Sequence, residues 1–181
     1  MRRASALVAQ LLRLARLDEP APFAPETIDA AQLLLDCVGD HVAIADRKGV
    51  DLGVDARTEA SLSGNREDLR VLFSNLIENA VRYTPAGGTV DVSLKVRGSR
   101  AVVEALDTGC GLPPGAETRV FDRFYRGAPG TEGSGLGLAI ARRIAERNDL
   151  ALTVENRPDG RSGVLARVEL PLGAPRDGDR V

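Results

Sequence analysis

Asn75, Asn79 and Arg82 are spaced so that a helix turning about 100° per residue would bring their side chains onto one flank. The carbonyl oxygen of an asparagine amide is a hard ligand that suits Mg²⁺, and a guanidinium group pairs with phosphate oxygens. Tyr83 falls between this flank and the apolar face of the same helix. The strip could hold a polyphosphate with its metal ion, but an ordinary amphipathic helix with a polar edge would show the same pattern.

The segment DTGCGLPPG (107–115) places an aspartate at the end of an apolar run, followed by Gly109 and Gly111. Glycines allow a backbone to approach a flat ligand closely, and a buried carboxylate can accept a hydrogen bond from an exocyclic amine such as that of adenine. Asp107 could therefore read an adenine ring, or it could simply begin a turn.

The segment GSGLGLAIARR (133–143) carries glycines at positions 133, 135 and 137 and then runs into a helical pattern. Backbone amides at a helix N-terminus can bind phosphate. The segment lacks the Lys-Ser/Thr pair of a Walker loop, and its glycines are not spaced as in the GxGxxG dinucleotide fingerprint.

The segment VFDRFYRG (120–127) lies between these two glycine-rich motifs. Phe121 and Phe124 could anchor a mobile loop, and Arg119, Arg123 and Arg126 could reach toward phosphates. A surface loop with a small apolar anchor is the alternative interpretation.

The periodicity of apolar residues predicts the elements that position these motifs. A helix is predicted over about 66–83, opened by Asn65 and Asp68 as a capping box, with its apolar face formed by Leu69, Leu72, Phe73, Leu76, Ile77 and Ala80. Strands are predicted over 89–96, 101–106, 151–156 and 164–170, and a helix over about 135–148. The Gly/Pro-rich stretch from 109 to 133 predicts a long functional loop with at most one helical turn near residues 119–124.

The N-terminal part is predicted to contain an amphipathic helix over 4–17, a proline-rich linker, a second helix over about 27–47 and short strands near 50–55 and 59–63. The apolar stripe of one short helix needs a partner helix to bury it. The element order predicts an α+β fold: a two-layer α/β sandwich whose mixed, mainly antiparallel sheet carries helices on one face, with a flexible lid.

The composition excludes several classes of protein. The formal net charge is −2, which argues against a protein that coats nucleic acid. Cys37 and Cys110 form neither a metal-ligand spacing nor a disulfide framework, and we expect reduced thiols. No run of 18 apolar residues occurs, so the sequence predicts no membrane span.

Four motifs in order, NLIENAVRYTP (75–85), DTGCGL (107–112), FDRFYR (121–126) and GSGLGL (133–138), resemble the N, G1, F and G2 boxes of bacterial sensor histidine kinases. The ATP-binding domain of these kinases belongs to a wider family with gyrase B, Hsp90 and MutL. The segment ALVAQLLRLARLD (6–18) is similar to the end of the second helix of their dimerisation and phosphoacceptor domain. The resemblance implies a helix remnant over 1–18, a linker over 19–26, the ATP-binding domain over 27–171 and a disordered tail over 172–181.

The resemblance also implies roles for particular residues. Asn79 would be the Mg²⁺ ligand, Asn75 would contact phosphate or metal, Tyr83 would flank adenine, and Arg82 and Arg126 would contact phosphate. Asp107 would read the adenine amine, and residues 112–134 would form the lid. The implied catalytic set is Asn75, Asn79, Arg82 and Arg126. The implied nucleotide-binding set adds Tyr83, Asp107, Gly109, Gly111, Leu112, Gly133, Ser134, Gly135, Leu136 and Gly137.

The function implied by the resemblance is that of a protein-histidine kinase. The domain would donate the γ-phosphate of Mg·ATP to a histidine on the phosphoacceptor domain, from which it passes to a cytoplasmic response regulator in two-component signal transduction. We expect a homodimeric full-length protein, a monomeric or weakly dimeric fragment, no nucleic-acid partner, and a location in the cytoplasmic part of a bacterial inner-membrane receptor. The alternatives are a serine kinase of the anti-sigma-factor type and a non-catalytic nucleotide-binding regulatory module.

Three residues depart from what the resemblance would suggest. His41 is the only histidine and is predicted to have a structural or surface role, so the acceptor histidine is expected upstream of Met1 and the fragment alone should not phosphorylate itself. Glu78 is predicted to be solvated, pointing away from Asn79. Cys110 stands between two glycines and is interpreted as a small tolerated side chain, with the hypothesis that alkylating it blocks nucleotide binding.

Overall fold

A computed structural model describes residues 8, 10–12, 14, 15, 25–126 and 133–173. From residue 25 onward the elements are β1 (Glu26–Asp29), α1 (Ala30–Lys48), β2 (Asp51–Asp55), β3 (Ser61–Gly64), α2 (Arg66–Tyr83), β4 (Thr89–Arg97), β5 (Arg100–Asp107), a 3₁₀ turn (Arg119–Phe121), α3 (Gly137–Arg147), β6 (Ala151–Asn156) and β7 (Val164–Pro171).

The main sheet has five strands in the order β2-β4-β5-β7-β6. Strand β2 runs parallel to β4, whereas the β4–β5, β5–β7 and β6–β7 pairs are antiparallel. Strands β1 and β3 form a separate antiparallel pair. The α+β fold with a mixed, mainly antiparallel sheet confirms the predicted fold class.

The helices cover one face of the five-stranded sheet. Alternate residues of β4, β5 and β7 enter one hydrophobic core, for example Val90, Val92 and Leu94 of β4, while Asp91 and Lys95 between them are exposed. This period of two, as seen in β4, is what a strand with one buried face requires. The loop after β5 approaches the end of α2 at Gly109, and the start of α3 approaches α2 at Gly137.

Helix α2 confirms the capping and the apolar face that the sequence predicts. The side chain of Asn65 accepts a hydrogen bond from the backbone N–H of Asp68 at 3.0 Å, which satisfies one of the free amides of the first turn. The helix ends before Pro85, where the Thr84 hydroxyl donates to the carbonyl of Ala80 at 2.8 Å. The predicted apolar residues are all buried.

The predicted helix over 27–47 was wrong at its start. Ile28 lies in strand β1, opposite Leu62 of β3, and helix α1 begins only after Asp29, whose side chain accepts from the Gln32 amide at 3.0 Å. Ile28 fits the period of the following helix as well as that of a strand. Pairing with a strand more than thirty residues away decided between them.

The N-terminal segment is helical wherever the structure describes it. Leu14 is only 3% exposed and belongs to the core, whereas Val8, Leu11 and Leu12 are exposed. Most of the predicted linker and tail lies outside the described residues. Leu172 and Gly173, at the start of that tail, donate hydrogen bonds to the carbonyls of Ser99 and Ser61. No helix within the described ranges has the length and apolar character needed to cross a membrane.

Candidate functional site

A cavity opens between helix α2, the end of β5, the loop that follows it, and the start of α3. Most of the predicted site residues line it: Asn79, Arg82, Tyr83, Asp107, Gly111, Leu112, Arg126, Gly133, Gly135 and Gly137. Four predicted residues do not line it, namely Asn75, Gly109, Ser134 and Leu136. Three motifs that are far apart in the chain therefore meet around one cavity: residues 75–85 on α2, residues 107–112 after β5, and residues 133–138 at the start of α3.

Asp107 is the most buried polar group of the cavity wall, at 3% exposed. Its Oδ1 accepts hydrogen bonds from the backbone N–H of Gly109 at 2.8 Å and of Val164 at 3.1 Å. Burial raises the pKa of this carboxyl group, and the two amide hydrogen bonds and the charge of Arg157 partly oppose that rise. Within the part of the chain that the structure describes, Oδ2 has no hydrogen-bond partner, so it can accept one from a ligand.

The two glycines after Asp107 are needed for different reasons. A Cβ on Gly109 would lie 2.7 Å from the carbonyl oxygen of Tyr83, so this glycine lets the loop pack against the end of α2. Gly111 has a φ of +75°, and a Cβ there would lie 2.8 Å from Oδ1 of Asn156. Gly111 lines the cavity and Gly109 packs behind it.

The two asparagines on the flank of helix α2 differ in position: Asn79 lines the cavity and Asn75 does not. Asn79 lines the cavity, and among the described residues its side chain has no hydrogen-bond partner. Asn75 donates from Nδ2 to the carbonyl of Val71 at 2.8 Å, and a Cβ on Gly137 would lie 2.8 Å from its Oδ1. Asn75 therefore packs against Gly137 at the start of α3, and it is not among the residues that line the cavity.

Arg82 lines the cavity and forms an ion pair with Glu78, one turn earlier in α2. The side chain of Glu78 is 41% exposed, so it is in contact with solvent as predicted, but the sequence analysis did not anticipate its ion pair with Arg82. Residues four apart on a helix are neighbours, and these two carry opposite charges. A Cβ on Gly133 would lie 2.6 Å from Nη1 of Arg82, so the lid approaches the guanidinium closely.

Lys48 supports the same end of α2, and the sequence motifs did not indicate it. Its Nζ donates to the carbonyl oxygens of Val81, at 2.8 Å, and of Arg82. These carbonyls are left without helical partners at a helix C-terminus, where a cation is favoured. Burial and the nearby charge of Arg82 lower the pKa of Lys48. A basic residue at the end of α1 was the only available signal.

The described ends of the lid are joined to each other. The N–H of Phe124 donates to the carbonyl of Gly135 at 2.8 Å, and the Arg126 guanidinium donates to the carbonyl of Gly133. Gly135 has a φ of +69°, and a Cβ there would lie 2.8 Å from the backbone of Phe124. Residues 127–132 of the predicted lid lie outside the described residues.

The predicted anchoring of the lid by two phenylalanines was half wrong. Phe121 packs against the core, with the guanidinium of Arg142 at 5.4 Å from its ring centroid. Phe124 is 57% exposed, with a φ of +65°, and the neighbouring Tyr125 packs against the core in its place. Arg119 stacks over Tyr125 at 5.0 Å, so this arginine is engaged within the lid.

The remaining predicted positions serve the start of α3 and the interior of α1. Ser134 accepts the Leu136 amide at 3.2 Å, and Leu136 is fully buried in the core. His41 is buried within α1, with Nδ1 2.7 Å from the carbonyl oxygen of Cys37, as the structural interpretation of this histidine predicts.

Sequence reasoning missed the contribution of strand β7 and the turn before it. Val164 lines the cavity, and its amide binds Asp107. Arg157 donates from Nη1 to the carbonyl of Asp107 at 3.3 Å, and Ser162 donates from Oγ to the carbonyl of Gly109 at 2.6 Å. No local pattern marks these residues, because they reach the loop only through the β5–β7 pairing.

Comparison with known proteins agrees with this geometry. The sequence model of the histidine kinase-, DNA gyrase B- and HSP90-like ATPases matches residues 64–174. The swarming motility regulation sensor protein RssA of Serratia marcescens is 36% identical over 173 residues, covering 93% of this chain and 36% of RssA. The sensor-like histidine kinase SenX3 of Mycobacterium tuberculosis is 30% identical over 179 residues, covering 96% of this chain and 44% of SenX3.

Among solved structures, full-length ShkA in complex with AMPPNP superposes with a TM-score of 0.81 at 27% identity, covering 93% of this chain and 35% of ShkA. The chain thus spans less than half the length of each of these relatives.

Proposed function

The chain belongs to the histidine kinase-, DNA gyrase B- and HSP90-like ATPase family, and from this premise we propose that its cavity binds Mg·ATP and that it serves as the catalytic part of a sensor histidine kinase. The observation that carries the proposal is the state of Asp107. One carboxylate oxygen is held by two backbone amides, and the other is left to accept a hydrogen bond at the cavity wall.

At the adenine end, Asp107 would accept a hydrogen bond from the exocyclic amine of the base. A buried acceptor left without its donor is costly, which makes such a group selective for an amine over a carbonyl at that position. Gly111 and Leu112 line the same end and bring backbone close to the plane of the base. Tyr83 would flank the ring from helix α2.

At the phosphate end, Arg82, Arg126 and the glycine-rich start of α3 surround the cavity. The two guanidinium groups and the free amides of a helix N-terminus are favourable surroundings for phosphate oxygens. Phosphoryl transfer requires mainly positioning and the neutralisation of charge. These residues would orient the γ-phosphate toward an acceptor outside the cavity.

The residues that line the cavity could help to bind a magnesium ion only when a nucleotide supplies further ligands. Among the described residues no group of three or more His, Cys, Asp or Glu could hold a metal. Asn79, whose side-chain amide has no described partner, is placed to add one hard oxygen ligand to an ion whose other ligands are phosphate oxygens and water. Mg²⁺ would neutralise phosphate charge there.

The acceptor would be a histidine of a phosphoacceptor domain in the same protein, followed by an aspartate of a response regulator. Both named sensor relatives are longer than this chain and align with nearly all of it, which supports this arrangement. In it, residues 1–18 would end the dimerisation helix, 19–26 would link it to the catalytic domain 27–171, and 172–181 would form a tail. The full-length protein would be a homodimer whose catalytic part is cytoplasmic.

Calorimetric titration tests the site directly. We expect ATP to bind the wild type with an affinity that depends on Mg²⁺, and Asp107→Asn to lose binding. The amide oxygen of the asparagine would keep the two backbone hydrogen bonds, so its NH₂ group would face the amine of the base, donor against donor. A folded wild type that binds no ATP would refute the proposed site. Phosphoryl transfer to a supplied phosphoacceptor domain tests the reaction.

A further inference from the structure

Asn156, the last residue of strand β6, forms two hydrogen bonds with the backbone of Leu112. Its Oδ1 accepts from the Leu112 N–H at 2.6 Å, and its Nδ2 donates to the Leu112 carbonyl at 3.2 Å. Only a side-chain amide offers a donor and an acceptor in this geometry, and reversing the amide would place donor against donor. The side chain of Asn156 therefore pairs with the backbone of Leu112 as a neighbouring strand would, and it joins β6 to the loop after β5.

Leu112 lies where the loop that carries Asp107 meets the predicted lid. It lines the cavity and is the first residue of the predicted lid, immediately after the loop that carries Asp107. Strand β6 forms the edge of the main sheet, next to β7. The contact therefore fixes the start of the lid to an edge strand of the sheet. It also brings Asn156 so near to Gly111 that no side chain fits at that position.

The turn after Asn156 holds the rest of the same loop. Arg157 binds the carbonyl of Asp107, Ser162 binds the carbonyl of Gly109, and Val164 binds the carboxylate of Asp107. Arg157 is itself held by Asp159 at 2.6 Å, and this pairing lowers the pKa of Asp159 to about 2. The backbone of residues 107–112 is thus positioned from one side by the β6–β7 turn.

We propose that Asn156 is a positioning residue for nucleotide recognition: it holds Leu112 and the start of the lid at the distance from Asp107 that an adenine ring requires. The proposal rests on the proposed function, since it concerns the adenine end of the same cavity. Asn156 itself does not line the cavity and would not touch the nucleotide.

The test compares Asn156→Ala with Glu155→Ala, the adjacent residue of β6, which is exposed and whose side chain has no hydrogen-bond or ion-pair partner within the described part of the chain. We expect Asn156→Ala to weaken the binding of ADP and of ATP by the same factor, about three- to tenfold, as the loss of one or two hydrogen bonds implies. Equal factors locate the defect at the adenine end, whereas a defect at the phosphate end would weaken ATP more than ADP. Glu155→Ala should bind both as the wild type does.

A second measurement separates positioning from a general loss of stability. Hydrogen exchange of the nucleotide-free protein should show a faster Leu112 amide in Asn156→Ala, with the amides of α2 and β5 unchanged. Asn156→Asp keeps the acceptor but sets a charge against the Leu112 carbonyl, so it should bind no better than Asn156→Ala. Wild-type affinity in both variants, or exchange that rises throughout the domain, would overturn the role of Asn156. A wild type that binds no ADP would overturn the proposed function, and this inference with it.

Discussion

In helix α2 the carboxylate of Glu78 binds the guanidinium of Arg82, and Arg82 lines the cavity while the lid glycine Gly133 packs against it. A phosphate group that binds Arg82 would therefore compete with an internal carboxylate for part of the guanidinium. The side chains of Glu78 and Arg82 are both partly exposed, so the pair itself contributes little to stability.

Removing this competition should strengthen nucleotide binding. Glu78→Gln frees the guanidinium and removes a negative charge beside the phosphates, so we expect ATP to bind about twofold more tightly, as an exposed pair of this kind implies. ADP should change less, and Arg82→Gln should weaken ATP. Titrations at low ionic strength measure all three, and weaker ATP binding by Glu78→Gln would instead show that the carboxylate orients the arginine productively.

The buried carboxyl of Asp107 should leave a signature in the pH dependence of stability. Burial raises its pKa above 3.8, so the folded state binds the proton more tightly than the unfolded state. The protonated carboxyl of Asp107 therefore contributes to the free energy of unfolding. This contribution is fully present below about pH 3.8 and is lost as the pH rises through the pKa of the folded state.

The free energy of unfolding of the wild type, relative to Asp107→Asn, should therefore increase as the pH falls through that window. Urea denaturation of both proteins between neutral and acidic pH measures the difference. A difference that is constant across the window would contradict the raised pKa.

Alkylation of Cys110 should block nucleotide binding, since this exposed thiol lines the cavity. Cys37 is buried, and burial raises its thiol pKa, so it should react far more slowly. Brief treatment with a maleimide, followed by titration of ATP, tests the prediction. Cys110→Ser should bind ATP and keep that binding after the same treatment, and unchanged affinity in a fully modified wild type would refute the hypothesis.

Gly135→Ala should weaken ATP binding for two reasons, the positive φ of this residue and a collision of the new Cβ with the lid backbone. Its positive φ costs about 1–2 kcal/mol for a residue with a Cβ, and that Cβ would also collide with the backbone of Phe124. Gly115 has a similar φ of +74°, but a Cβ there would meet open space.

Gly115→Ala is therefore the matched control for the backbone cost. We expect Gly135→Ala to weaken ATP binding severalfold beyond Gly115→Ala, since it separates the two ends of the lid. Equal affinities in the two variants would show that the contact between Phe124 and Gly135 does not shape the site.

Local sequence was sufficient to predict helix α2 and the flank of it that faces the cavity. The cap at Asn65 and the period of the apolar residues depend on neighbours within one or two turns, so Asn79 and Arg82 could be placed beside each other before any tertiary contact was known. Asp107 at the end of β5 followed from the same kind of evidence, because a strand that stops at a glycine pair is visible in the sequence.

The tertiary structure decided what depends on residues distant in the chain. Strand β1 exists because Ile28 meets Leu62, and Asn75 packs against Gly137 instead of lining the cavity itself. The contact between Asn156 and Leu112 joins residues 44 positions apart and requires the β6–β7 and β5–β7 pairings to form first. Sequence periodicity reports which face of an element is buried, but not which distant backbone group a polar side chain will meet.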